Sequence, residues 1–268
     1  MIMKRIFIVF VLILSLSGCM NEDTSLIEES EIAEDPFIDD EDLVEVIEEI
    51  DLDEALFIQG LEVYNGENLL MGLGKYEDSR IGLFNIEDRL FIKKNSEDEE
   101  IEYFGEGVSI GPDKNIYQLT WRENTLLIRD YETFEIIGEK SYETEGWGLA
   151  YDNDKDKDIF YMTDGSNTIY IRDSETFEII DSFEVEYEFL NELEYANGLL
   201  YRNVWFEDII LEIDLVKREV RHVYDLSGIA ENENTEDINN TLNGIAHIED
   251  DVFYISGKNW NKIYKVDL

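Results

Sequence analysis

Residues 56–268 are expected to form an all-β domain, a five-bladed β-propeller with four strands in each blade. Three observations lead there. Short runs rich in Ile, Leu, Val, Tyr and Phe alternate with Gly, Asn and Asp turns, and no ten-residue stretch carries clear helical periodicity. Five segments open alike: Gln59-Gly60-Leu61, Glu106-Gly107-Val108, Trp147-Gly148-Leu149, Asn191-Glu192-Leu193 and Asn243-Gly244-Ile245. Their middle residues stand 47, 41, 44 and 52 positions apart, which suits a four-stranded blade better than a strictly periodic solenoid.

Each opening leads through a short turn into a second apolar strand. A second landmark then falls in register: Gly74, Trp121, Asp164, Trp205 and Lys258 follow at 14, 14, 16, 13 and 14 residues. Third strands are expected at Ile81–Phe84, Thr125–Ile128, Thr168–Ile171, Ile209–Ile213 and Lys262–Val266. The phrase Asp130-Tyr131-Glu132-Thr133-Phe134-Glu135 recurs as Asp173-Ser174-Glu175-Thr176-Phe177-Glu178, a turn into a fourth strand.

Ahead of this domain, residues 1–18 read as a signal peptide, with Lys4 and Arg5 before the apolar run Ile6–Leu14. The run is too short to span a bilayer comfortably. It ends at Leu16-Ser17-Gly18-Cys19, the pattern of a bacterial lipobox, so Cys19 is the expected lipidation site. Two or three acyl chains would anchor the protein stably. The expected location is the outer face of the cytoplasmic membrane or the periplasmic side of an outer membrane. Residues 19–55 read as an acidic tether without Lys or Arg from Asn21 to Ala55, with a short helix at Leu43–Ile50 suggested by Leu43, Val46, Ile47 and Ile50.

Composition excludes several functions. Lys+Arg number 21 against 65 Asp+Glu, a formal net charge of -44, which repels nucleic acid and anionic lipid surfaces. Cys19 is the single cysteine, so the mature domain has no disulfide, Cys-ligated zinc or Cys nucleophile. The two histidines, His222 and His247, are too few for a His-rich metal centre, and neither sits in a Gly-x-Ser-x-Gly setting.

In a propeller the first strands line a central channel, so equivalent positions on them converge at one end. Two such rings are expected: Gln59, Glu106, Trp147, Asn191 and Asn243, and Gly74, Trp121, Asp164, Trp205 and Lys258. Scaffold positions of a repeat should match one another. These mix carboxylate, amide, ammonium and indole, the variation an asymmetric ligand demands.

With Phe57-Ile58-Gln59-Gly60, Phe104-Gly105-Glu106-Gly107, Gln118-Leu119-Thr120-Trp121, Gly146-Trp147-Gly148, Thr163-Asp164-Gly165, Leu190-Asn191-Glu192-Leu193, Asn203-Val204-Trp205, Asn243-Gly244-Ile245-Ala246 and Gly257-Lys258-Asn259-Trp260, the chain resembles the plant and bacterial glutaminyl-peptide cyclotransferases, in their order and spacing. The family usually has Thr where Ile58 stands and a Ser-Thr pair near Met71-Gly72. The resemblance implies conversion of an N-terminal Gln of peptides or proteins to pyroglutamate with release of ammonia. It implies no required cofactor and no catalytic metal, and allows a structural divalent cation in the channel. It places the acid/base role on Glu106, substrate-positioning amides on Gln59 and Asn191, the channel lysine on Lys258, and pocket aromatics on Phe57, Phe104, Trp121, Trp147 and Trp205. Asp164 and Asn243 join them as ring residues expected to bind substrate. A monomer is expected. The alternatives are a non-catalytic propeller that binds peptides or proteins, and a metal-dependent propeller hydrolase such as a lactonase.

Overall fold

The computed structural model describes residues 44–96, 102–152, 154, 157–233 and 237–268. The expected signal peptide, Cys19 and the acidic stretch to residue 43 lie outside the described residues. The first strands are β1 (Glu45–Asn65), β2 (Asn68–Leu73), β3 (Arg80–Asn85) and β4 (Leu90–Lys93). They are followed by β5 (Gly105–Ile110), β6 (Ile116–Thr120), β7 (Thr125–Arg129) and β8 (Ile136–Ser141). Next come β9 (Leu149–Asp152), β10 (Ile159–Met162), β11 (Thr168–Asp173) and β12 (Ile179–Glu184). β13 (Leu190–Ala196), β14 (Leu199–Val204), β15 (Ile209–Asp214) and β16 (Glu219–Asp225) precede a one-turn helix, α1 (Ser227–Ala230). β17 (Leu242–Glu249) and β18 (Val252–Asp267) complete the chain. The architecture is an all-β propeller with four-stranded blades.

The expected five separate sheets are instead four: β5–β8, β9–β12 and β13–β16, each of four strands, and one of six in the order β17-β18-β1-β2-β3-β4. The reason is strand continuity. Glu45–Asp51 of β1 pairs with the end of β18, while Ile58–Asn65 of the same strand pairs with β2. Two sheets therefore run into one through an unbroken strand. This also corrects the boundary at residue 55 and the helix at Leu43–Ile50. Val46 and Ile50 are four apart, a spacing that serves a strand face as well as a helix face. Ile50 is buried and Val46 packs on the core, while Ile47 is 52% exposed. The first half of β1 and the end of β18 thus close the ring by hydrogen bonding.

The strands β1, β5, β9, β13 and β17 touch in cyclic order, and β17 returns to β1. The repeated glycine of each opening exists for this ring. A Cβ on Gly60 would lie 2.5 Å from Val108 N, on Gly107 2.6 Å from Trp147 O, and on Gly148 2.2 Å from Asn191 O. Where the fourth opening has Glu192 instead, its carboxylate accepts Leu61 N (3.1 Å) and Ile245 N (2.9 Å), joining three inner strands. Glu62 and Glu194 likewise accept Ile110 N and His247 N from neighbouring inner strands.

Between sheets lie apolar layers, such as Tyr117 and Leu119 against Phe160, Met162 and Phe177. The recurring turn phrase is explained here. Asp130 and Asp173 each accept the two following N–H groups of an Asx turn. Phe134 and Phe177 then take left-handed backbone (φ 63° and 62°), which drives their rings into the buried layers. Arg129 and Arg172 donate to the carbonyls of those phenylalanines.

Burial pushes the Glu192 carboxyl well above the ordinary value, against the pull of its two N–H donors. The folded state therefore holds this proton more tightly than the unfolded chain. The associated stability is full below about pH 4.5 and is lost as pH rises through the folded pKa. Melting followed by circular dichroism should show Glu192→Gln losing less Tm than the parent between pH 5 and pH 8. Glu192→Ala, which orphans two buried donors, should cost about 1–3 kcal/mol for each. Parallel pH curves for parent and Glu192→Gln would contradict this.

Candidate functional site

The ring's converging ends enclose a cavity of about 240 Å³. Phe57 and Gln59 reach it from β1, Glu106 from β5, Asn191 from β13 and Lys258 from the middle of β18. Phe104 and Trp147 enter just before β5 and β9, Trp121 and Trp205 just after β6 and β14. These are nine of the eleven site residues expected within the domain. Two glycines make room for the rings: a Cβ on Gly74 would lie 2.3 Å from Phe104, and one on Gly165 2.5 Å from Trp147.

The other two expected residues do different work. Asp164 does not line the cavity; it accepts Ser166 N and Oγ and the Tyr170 hydroxyl, so its carboxylate is spent on a turn. Asn243 is fully buried outside the lining, where its Nδ2 donates to Ile58 O (2.9 Å) and ties β17 to β1. His222 and His247 are not among the cavity residues.

The cavity's polar atoms are poised for a partner. Gln59 Nε2 donates to Glu106 Oε1 at 3.1 Å. Gln59 Oε1, both amide atoms of Asn191 and Trp205 Nε1 are buried without a hydrogen-bond partner. Leaving a buried polar atom unmatched costs about 1–3 kcal/mol, so four at one cavity mark a ligand's place. The Asn191 backbone is tied to its neighbour, since Thr163 Oγ1 donates to Asn191 O and accepts Gly148 N.

Burial drives the Glu106 carboxyl well above the ordinary value; Lys258 opposes this, and Glu145 and Glu123 add to it. Burial also lowers the Lys258 ammonium to about 8, against the pull of Glu106. Lys258 Nζ lies 5.6 Å from the ring centroids of both Phe57 and Trp205, a cation held over π faces. Carboxyl and ammonium thus sit in one enclosed space with pKa values drawn toward each other and toward neutrality.

The lining offers one carboxylate, one ammonium, two amides and five aromatic rings, without Cys or His. Among the described residues no group of three or more His, Cys, Asp or Glu is placed to hold a metal ion. The inner carboxylates of Glu62, Glu192 and Glu194 are engaged by backbone N–H groups.

Glu145 is the residue that sequence reasoning missed. Its Oε2 accepts both Trp121 Nε1 (2.8 Å) and Trp147 Nε1 (3.2 Å), and its Oε1 accepts Arg122 Nε (3.1 Å). Burial alone would raise this carboxyl, but the two indoles and Arg122 outweigh it and hold it below the ordinary value. One carboxylate thereby locks two cavity walls. The signal available was an acid two residues before one ring tryptophan. Asn239 also lines the cavity; it lies in the longest repeat, where no other opening offers a counterpart.

Residues 20–268 match the family model described as glutamine cyclotransferase. A glutaminyl-peptide cyclotransferase of Arabidopsis thaliana is 29% identical over 230 residues, 84% of this chain and 71% of that protein. The crystal structure of Myxococcus xanthus glutaminyl cyclase superposes with a TM-score of 0.72 at 25% identity, covering 84% of this chain and 95% of that one.

Removing the shared anchor should free both indoles. Glu145→Ala is expected to shift tryptophan emission to longer wavelength and increase its quenching by acrylamide, while Glu132→Ala, on an exposed turn, leaves both unchanged. Identical spectra for Glu145→Ala and parent would remove its positioning role.

Proposed function

The chain belongs to the glutamine cyclotransferase family, and on that premise we propose that its cavity performs the reaction with Glu106 as the proton carrier. The protein is a glutaminyl-peptide cyclotransferase, an acyltransferase acting on peptides with N-terminal glutamine. The observation that carries the mechanism is the buried Glu106 carboxyl among unpartnered amide and indole groups. An α-ammonium has a pKa of about 7.7–8.0, so much of the substrate arrives protonated. Glu106 as carboxylate accepts that proton, and the freed amine attacks the γ-carboxamide carbon. A C–N bond forms to close the five-membered ring. Glu106 then returns the proton to the amide nitrogen, the C–N bond to it breaks and it leaves as ammonia, while Glu106 takes the second proton from the ring nitrogen and passes it to solvent, regaining its carboxylate. A carboxyl with a raised pKa suits both halves of this cycle.

Negative charge builds on the γ-oxygen between these steps. Lys258 and Asn191 Nδ2 are the donors for it, and one such donor contributes about 3–4 kcal/mol. Gln59 holds Glu106 in place while its own Oε1 is free for the substrate amine. The tryptophan walls keep water from the acyl carbon, where it would yield glutamate instead. The reaction as written draws on no metal.

Ammonia release from a Gln-initiated peptide, with the pyroglutamyl product identified by mass, should persist in EDTA. It should fall about 10²–10⁴-fold in Glu106→Gln with the fold intact. The profile of kcat/KM should be bell-shaped. Its acid limb rises with loss of the Glu106 proton, and its alkaline limb falls near pH 8 as Lys258 loses its own. Lys258→Arg should move the alkaline limb upward. Undiminished turnover by Glu106→Gln would refute the assignment.

The same proposal extends to the rest of the molecule. The six-stranded sheet is read as two blades that share β1, with the long β18 supplying two strands of one of them, which makes five in all; the two-part pairing of each long strand supports this. Residues 1–18 are read as a signal peptide and Cys19 as the lipid anchor, on the lipobox pattern. The enzyme is then an exported monomer held at a membrane face, where strong net charge opposes self-association. Cys19→Ser should move the protein from the membrane to the soluble fraction; unchanged fractionation would refute the anchor.

A further inference from the structure

Two phenylalanines pack beside the cavity wall Trp205 and stay partly exposed. Phe206 stacks on the cavity wall Trp205, with centroids 3.9 Å apart and planes at 22°. Phe189 sets its edge against both, at 6.4 Å from Trp205 and 6.0 Å from Phe206. The loops are tied together, since Trp205 N donates to Phe189 O at 2.9 Å. Both rings are nevertheless exposed, Phe189 by 45% and Phe206 by 38%.

Their backbones make the exposure more telling. Phe189 and Phe206 take left-handed conformations, φ 57° and 73°. Glu207 N donates to Val204 O, so Phe206 is the third residue of a four-residue turn, a position where positive φ favours Gly or Asn. Phe134 and Phe177 have similar φ, but each gains a core position in return, at 2% and 1% exposure. Phe189 and Phe206 carry the same unfavourable backbone and stay partly exposed beside Trp205. Strain of this kind with no gain in the fold is found where a ligand is to be met.

We infer that Phe189 and Phe206 form a subsite for the second residue of the substrate peptide and select a large apolar or aromatic side chain there. The inference rests on the cyclotransferase reading of the cavity. A terminal glutamine whose amine and γ-amide both face the cavity interior has only its α-carbonyl leading outward. The next residue must therefore leave by the mouth, where the outer side of Trp205 continues into these rings. Stacking against the Trp205–Phe206 pair gives an apolar or aromatic side chain area that glycine cannot use.

The test compares kcat/KM for Gln-Phe and Gln-Gly peptides of otherwise identical sequence. The parent should favour Gln-Phe about tenfold, chiefly through KM. Phe206→Gly suits the turn's backbone, so it should keep or raise Tm while reducing the preference to about twofold. A merely structural phenylalanine would instead lower Tm. Phe189→Ser should erode the preference in the same sense. Ile137→Ser, an exposed residue on β8, should leave it unchanged. Equal rates for the two peptides in the parent, or a preference untouched in Phe206→Gly, would overturn the subsite. Failure of every Gln peptide to react would instead count against the cyclotransferase reading. In that case the affinities of both peptides, read by tryptophan emission, still decide whether the rings select the second residue.

Discussion

At Gly60, Gly107 and Gly148 the backbones of adjacent inner strands come so close that a methyl group would lie 2.2–2.6 Å from its neighbour. Everything at the site follows from that contact. With inner strands this close, residues one position before the glycines are drawn together at one end of the ring. Gln59, Glu106 and Trp147 are those residues, with Asn191 the counterpart beside Glu192. The pairing of Glu45–Asp51 with β18 then closes the circle and sets Lys258 opposite Phe57.

The electrostatics of the molecule divide into two regimes. Its surface carries a large excess of carboxylates in contact with water. Inside the ring, desolvation dominates: Glu106, Glu192 and Glu194 all rise well above the usual range, while Lys258 falls to about 8. Two roles emerge from one physical cause. Glu192 and Glu194 spend their carboxyl oxygens on backbone N–H groups and act as struts. Glu106 accepts a side-chain amide, with no backbone N–H on it among the described residues, and so can exchange a proton.

Much of this was legible in the residues. The repeat glycines, the alternating apolar runs and the mixed chemistry of the two rings identified the inner strands and seven cavity side chains, because each reflects a local requirement repeated around a circle; Phe57 and Phe104 came with the family resemblance. What escaped was non-local. Glu45–Asp51 looked like solvated tether because its acidic face is solvated; only β18, some two hundred residues away, shows the other face to be a strand. Asp164 and Asn243 occupy ring positions, but their hydrogen bonds go to a turn and to Ile58 O. Glu145 acts by reaching two tryptophans from different loops, and Phe206 sits where a turn prefers glycine, neither of which a repeat pattern encodes.

The most direct test is a crystal structure of the Glu106→Gln protein with a Gln-initiated peptide bound. The α-amine should lie within hydrogen-bond distance of residue 106, with the γ-amide oxygen facing Lys258 and Asn191. Gln59 Oε1 and Trp205 Nε1 should both gain partners. A peptide bound with its amine turned out of the cavity, or seated elsewhere on the ring while these groups stay unmatched, would contradict the mechanism.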